Sequence, residues 1–84
     1  MPDPWFDEVV NPIERLLERW QHRGDVDSVN ALLPAWRSNF GLTDGWAEVL
    51  AVLRSLEERG ELPPDEVATI TKVAERVARA VNRT

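Results

Sequence analysis

The segment Trp46–Leu56, WAEVLAVLRSL, constrains the fold of this chain more than any other stretch. Its apolar side chains recur at i, i+3, i+4, i+7 and i+10, namely Trp46, Val49, Leu50, Leu53 and Leu56. This spacing places side chains on one face of an α-helix, and Val52 widens that face. Such a helix needs other elements to cover its apolar face, so the segment predicts a helical domain built around it.

Three further apolar stripes with start and stop signals complete an all-α prediction. The predicted helices span about residues 4–23, 26–40, 44–59 and 64–82. Gly24, Gly41 and Gly60 mark three helix ends, because glycine accepts the left-handed conformation found there, and Asp25 is predicted to cap the second helix. Short loops make consecutive helices antiparallel neighbours. We therefore expect a single-domain, small antiparallel up-down four-helix bundle.

Two prolines fall inside predicted helices. Pro12 removes a backbone hydrogen bond and crowds the carbonyl four residues back, so we expect the first helix to bend or break there. Asn11 followed by Glu14 resembles a capping box and favours a restart at Asn11. Pro34 lies on the polar side of the second helix, where a bend away from the core is expected.

The apolar stripes of the second and fourth helices predict their buried faces. For the second helix these residues are Val26, Val29, Leu33, Trp36 and Phe40, flanked by Leu32. For the fourth they are Val67, Ile70, Ala74, Val77 and Val81, with Val73 and Ala78 at the margins. Asp65 and Glu66 are interpreted as acids that favour the positive end of the helix dipole.

Charge and composition exclude several classes of protein. The 84 residues carry a net charge of −5 and no cysteine. Disulfides, zinc–thiolate sites and cysteine nucleophiles are therefore excluded, and general nucleic-acid binding is disfavoured. The first residues are acidic, unlike a signal peptide, and no apolar run approaches the ~18 residues of a membrane span. We expect a cytoplasmic protein.

Tryptophan is the most distinctive feature, with four in a chain this short. Antiparallel packing is predicted to collect most of the aromatic rings at one end, namely Trp5, Phe6, Trp36, Phe40 and Trp46. Trp20 would lie at the other end. The rings can form a closed core against the small residues of the fourth helix. Alternatively one ring, Trp5 or Trp36, stays partly exposed and anchors a partner, as tryptophan does at interface hot spots.

A basic stripe runs along the fourth helix, opposite its apolar face. It consists of Lys72, Arg76, Arg79 and Arg83 at i, i+4, i+7 and i+11. The stripe is either a docking strip for an acidic partner or a phosphate backbone, or a solvated face whose cations suit the helix C-terminus.

Metal binding and catalysis find little support in the sequence. Glu14, Glu18 and His22 share one helix face, but that face points away from the core, and a di-metal bundle needs inward ligands from several helices. The chain has one histidine, no tyrosine and no phosphate-binding loop. We predict no cofactor, no metal and no enzymatic activity.

These observations lead to a functional hypothesis by elimination. The chain is predicted to be a non-catalytic protein–protein interaction module that self-associates or binds a protein partner. The predicted contact residues are Trp5, Trp36, Phe40 and Trp46 together with Lys72, Arg76, Arg79 and Arg83. One alternative is a small acidic inhibitor such as an immunity protein, antitoxin or phage antagonist. Another is a DNA-binding regulator that uses the fourth helix, and an enzyme or ferritin-like metal protein ranks last.

Overall fold

The computed structural model describes residues 4–39 and 45–81, and within these ranges the chain is all-helical. Its helices are α1 (Asn11–Arg23), α2 (Val26–Asn39), α3 (Gly45–Arg59) and α4 (Pro64–Val81), and a π-helical turn, Phe6–Val10, precedes α1. No strand occurs in the described part of the chain. The all-α prediction is therefore confirmed. The predicted ends at residues 40 and 82 and the predicted start at residue 44 lie outside the described residues.

The π-helical turn lies directly before the α-helical segment that contains Pro12. The ring of Pro12 crowds the carbonyl four residues earlier, which is that of Glu8. Glu8 lies in the wider π-helical turn, so the irregular hydrogen bonding occurs where the proline disturbs the helix. The α-helix begins at Asn11, after the π-helical turn, but the predicted capping role of Asn11 is wrong. Val10 occupies the cap position with helical angles, φ −64° and ψ −52°, and no side chain caps α1. The predicted bends at Pro12 and Pro34 stay predictions.

The turn between α1 and α2 follows the predicted capping pattern. Gly24 adopts the left-handed conformation with φ 79°. The Gly24 and Asp25 N–H groups donate to the Gln21 and Trp20 carbonyls at 3.2 and 2.9 Å. Asp25 Oδ1 then accepts the Ser28 N–H at 3.2 Å, which confirms its role as the cap of α2. These bonds satisfy backbone groups that two helix ends otherwise leave without partners.

The segment Trp46–Leu56 lies in α3, which packs against α2 and α4. Val49, Leu53 and Leu56 of α3 are buried, whereas Trp46 and Leu50 are half-buried and pack against the core. The fully buried face of α3 is therefore narrower than predicted. The same core contains buried apolar residues of the π-helical turn and the other helices, namely Val9, Ile13, Leu16, Leu17, Trp20, Leu32, Ala35, Trp36, Ile70, Val73, Ala74 and Val77.

The buried face of α2 differs from the predicted one. Leu32 and Ala35 are buried together with Trp36, whereas Val26 is 62% exposed. The predicted face was centred one position away, and its other described members, Val29 and Leu33, are only half-buried. Ser28, at the i−4 position from Leu32, can be buried on this face because its hydroxyl donates to Asp25 at 2.8 Å.

The buried face of α4 also departs from prediction, because it begins with a charged residue. Glu66 is buried with Ile70, Val73, Ala74 and Val77, while Val67 and Val81 are half-buried. The helices pack in a closed series: α1 on α2, α2 on α3, α3 on α4, and α4 on both α1 and the π-helical turn. This closure brings the start of the chain against α4 and creates the surfaces described next.

Candidate functional site

Three tryptophans meet in one cluster, which we call the tryptophan end (Trp5, Trp36 and Trp46). The Trp5 and Trp46 ring centroids lie 4.8 Å apart with the planes at 88°. The Trp36 and Trp46 centroids lie 5.7 Å apart at 78°. Both are edge-to-face contacts, an arrangement that the aromatic quadrupole favours. The predicted gathering of these three rings is confirmed. Phe40 and the side chain of Phe6 lie outside the described residues.

The three rings differ in exposure. Trp36 is buried, with 4% of its surface exposed, so of the two rings expected to stay partly exposed, Trp5 or Trp36, only Trp5 does so. Trp5 and Trp46 are half-buried and pack against the core. Trp46, in the first turn of α3, contacts both of the other rings. The tryptophan end therefore offers two partly exposed rings supported by a buried third.

Arg76 connects α4 to the start of the chain. Its guanidinium lies 5.0 Å from the centroid of the Trp5 ring, within cation–π range. Its Nε donates to Glu8 Oε2 at 2.6 Å. The solvated-face interpretation is therefore wrong for Arg76, whose side chain is only 28% exposed. The π-helical turn packs alongside α4 and brings Glu8 and Trp5 to it.

Glu8, Arg76 and Arg79 line two pockets, which together we call the charged cleft. One part, of about 490 Å³, is lined by Pro4, Glu8, Arg76, Arg79 and Ala80. The other, of about 320 Å³, is lined by Asp7, Glu8, Pro12, Lys72, Arg76 and Arg79. Three of the four predicted stripe residues thus share one cleft with two carboxylates. Arg83 lies outside the described residues.

The sequence patterns did not predict a second polar cluster. We call it the Glu66 network, and it consists of Trp20, Arg19, Arg23 and Glu66. Glu66 is only 2% exposed, and its two oxygens accept from Arg23 Nη1 and Nη2 at 2.9 and 3.0 Å. Trp20 Nε1 donates to Glu66 Oε1 at 2.9 Å, and Arg19 contributes a longer contact of 3.5 Å. The network ties the last turn of α1 to the first turn of α4.

Hydrogen bonds shift the pKa values of charged groups in and beside this network. The bonds from Arg23 hold the pKa of the Glu66 carboxyl below its ordinary value, and the Trp20 N–H acts in the same direction. Burial opposes them by raising that pKa. The bond to Glu66 raises the pKa of Arg23, while the hydroxyl of Ser28 lowers the pKa of Asp25. Glu66 is therefore a buried carboxyl group that Arg23 and Trp20 hold by hydrogen bonds.

A signal for Glu66 was present in the sequence. It precedes Ile70 by four residues and Ala74 by eight, which places it on the apolar face of the fourth helix. Its position in the first helical turn also suits an acid that favours the helix dipole, and only this interpretation was made from the sequence. An acid in phase with an apolar stripe indicates a buried, paired carboxylate.

The residues considered for a metal site do not form a cluster with others. Glu14, Glu18 and His22 are exposed on α1. Within residues 4–39 and 45–81, no group of three or more histidine, aspartate or glutamate side chains is arranged to hold a metal ion. None of the described helices is both long and apolar enough to cross a membrane.

Comparison with known proteins adds no relative. A scan against protein-family models, a search of curated proteins and a search of solved structures each return no match for this chain. Functional inference therefore depends on the chemistry of the two clusters and the charged cleft.

Proposed function

We propose that this chain is a non-catalytic protein-interaction module that binds a protein partner, which can be a second copy of itself, through the tryptophan end. The carrying observation is the Trp5–Trp46 pair, two half-buried rings 4.8 Å apart, of which Trp46 also contacts buried Trp36. Tryptophan and arginine are the residues most enriched at interface hot spots. Arg76 over Trp5 supplies both types at one place.

Rigidity strengthens this proposal. Binding costs the conformational entropy of every side chain that it immobilises, so contacts that are already fixed in the free protein bind more efficiently. Trp46 contacts a ring on each side, and Trp5 contacts both Trp46 and Arg76. The surface is therefore largely organised before a partner arrives.

An antiparallel up-down arrangement of the four helices is part of the same proposal. Glu66 in the first turn of α4 bonds to Trp20 near the end of α1. Trp5, near the start of the chain, lies beside Arg76 in the second half of α4. Trp36 near the end of α2 contacts Trp46 at the start of α3. In an up-down bundle, these contacts place the three rings at one end and Trp20 at the other.

The proposal is tested by molar mass and by partner capture. Wild-type protein, Trp5→Ala and Trp46→Ala are compared by light scattering over a wide concentration range, with circular dichroism to confirm helicity. Val26→Ala is the matched control, because Val26 is an exposed apolar residue outside the tryptophan end. We expect the two tryptophan variants to lose an association that wild type and Val26→Ala retain. A monomer at every concentration, with host-protein capture unaffected by either tryptophan variant, contradicts the proposal.

The sequence left two other binding functions open. DNA binding by α4 has less support, because Glu8 pairs with Arg76 and Asp7 lines the same cleft, so two carboxylates oppose a phosphate backbone. An acidic inhibitor is a special case of the proposed module. It would present acidic faces such as Glu14 and Glu18 to a basic target, and substitutions there would then outweigh those at the tryptophan end.

A further inference from the structure

The charged cleft holds an arginine that is fixed in place but incompletely paired. We propose that this cleft recognises carboxylate groups of an acidic protein segment, with Arg76 as the binding residue and Glu8 and Trp5 as the residues that position it. The inference deepens the proposed function and rests on it, since it gives the chemistry of the partner.

Arg76 is positioned from two directions. Glu8 accepts from Nε at 2.6 Å, and the Trp5 ring lies 5.0 Å from the guanidinium carbon. The terminal nitrogens, Nη1 and Nη2, have no acceptor among the described residues. A guanidinium held at Nε still offers a pair of parallel N–H groups that match the two oxygens of a carboxylate.

Two further cations line the cleft beside Arg76. Lys72 and Arg79 are exposed, and neither forms an ion pair within residues 4–39 and 45–81. With Asp7 and Glu8 opposite them, the cleft carries three positive and two negative side chains. The small local excess of positive charge suits a ligand with one or two carboxylates.

A short acidic protein segment fits this balance better than a nucleic acid. A phosphate backbone repeats its charge continuously and would also meet the carboxylates of Asp7 and Glu8. A peptide places its carboxylates singly and can also present an apolar side chain to the neighbouring tryptophan end. The cleft and the two half-buried rings then form one continuous contact surface.

The experiment uses a blocked tripeptide with glutamates on either side of a leucine, titrated at low salt into isotopically labelled protein. We expect saturable shifts of the Arg76 Nε–H and Trp5 indole N–H signals in nuclear magnetic resonance spectra. Arg76→Lys keeps the charge but not the paired N–H groups, and should weaken binding about tenfold. Arg79→Gln should weaken it by about threefold, in the range of an exposed charge pair.

Matched controls separate recognition from general electrostatics. Arg54→Gln removes an exposed arginine of α3 that pairs with Glu57, away from the cleft, and should leave binding unchanged. The same tripeptide with glutamines should not bind. Equal binding by wild type and Arg76→Lys, shifts elsewhere on the surface, or tighter binding of a thymidine trinucleotide with two phosphates would each overturn the inference. If the tripeptide fails while Trp46→Ala still abolishes association in light scattering, the inference falls and the proposed function stands.

Discussion

Tryptophan has opposite roles in the Glu66 network and at the tryptophan end. Trp20 is fully buried and gives its N–H to Glu66, whose second oxygen is bound by Arg23. At the tryptophan end, Trp5 and Trp46 are half-buried and meet edge to face, with a cation over one ring. The first cluster joins α1 to α4 through a buried hydrogen bond, and the second leaves aromatic surface at the boundary with solvent.

From this difference we expect the Glu66 network to contribute mainly to stability and the tryptophan end to be the surface of the proposed binding. A buried carboxylate needs nearly all of its hydrogen bonds to be satisfied from within the protein, so Glu66 has little capacity left for a partner. The edge-to-face rings are held by dispersion and quadrupole forces, and half-buried Trp5 and Trp46 still present part of their surface to solvent. Changes in the Glu66 network should therefore reduce folding stability, and changes at the tryptophan end should mainly reduce binding.

The largest effect on stability is expected for Trp20→Ala. The change removes a fully buried ring and leaves a cavity, which typically costs about 3–5 kcal/mol for a large aromatic residue. It also removes the N–H that binds Glu66. The free energy of unfolding is measured by urea denaturation. A loss below about 1 kcal/mol would mean that this end of the molecule is not closed.

The next effect is expected for Glu66→Ala, at about 1–3 kcal/mol, because it leaves the buried Trp20 N–H without an acceptor. Glu66→Gln is the matched variant, since its amide oxygen can still accept that N–H while the charge is lost. We expect it to be destabilised less than Glu66→Ala. Equal stability of the wild type and Glu66→Ala would remove the distinction between the two clusters.

Acid should weaken the Glu66 network specifically. The pKa of Glu66 is lower in the folded protein than its ordinary value of 4.5, so the carboxylate contributes stability that is fully present above that value. This contribution is lost as the pH falls from 4.5 through the lowered folded pKa. The difference in unfolding free energy between wild type and Glu66→Gln should therefore shrink in this range. A difference that stays constant from pH 7 to pH 3 would contradict the pairing.

The sequence predicts the helices well because their signals are local. Helix ends depend on residues such as Gly24 and Asp25, whose effects reach only a few positions, and the α3 stripe with Leu53 at its centre is periodic over a full segment. The prediction of the buried face of α2 relied on the same periodicity and is wrong. Val26 is apolar and in phase, but it is the first residue of its helix and stays exposed.

The polar contacts could not be predicted because they join residues far apart in the chain. Glu8 and Arg76 are separated by 68 positions, and Trp20 and Glu66 by 46. Each residue alone has an ordinary interpretation, as a solvated charge or a dipole acid. Only the packing of the first helical segment against α4 brings the partners together, and a periodic pattern contains no information about which charges will meet.

At the tryptophan end, a smaller loss of stability is expected for Trp46→Phe. Phenylalanine keeps an aromatic ring but reduces the edge-to-face contacts with Trp5 and Trp36, whose typical contribution is about 0.5–1.5 kcal/mol per aromatic pair. The unfolding midpoint in urea measures the change. A loss as large as that of Trp20→Ala would show that both clusters are equally structural and would weaken the assignment of this end to binding.

The smallest effect on stability is expected for Arg76→Gln, at about 0.5 kcal/mol, because the pair with Glu8 is partly exposed and such pairs contribute little. The matched control is Arg54→Gln, which breaks the exposed pair with Glu57 on α3. The losses of unfolding free energy in the two variants should differ by no more than the contribution of the cation–π contact between Arg76 and Trp5. The two variants are compared by urea unfolding at low and high salt. If Arg76→Gln costs as much as Glu66→Ala, Arg76 is a structural residue. A near-neutral change would instead show that the fold scarcely needs Arg76. A partner can then bind this arginine without destabilising the bundle.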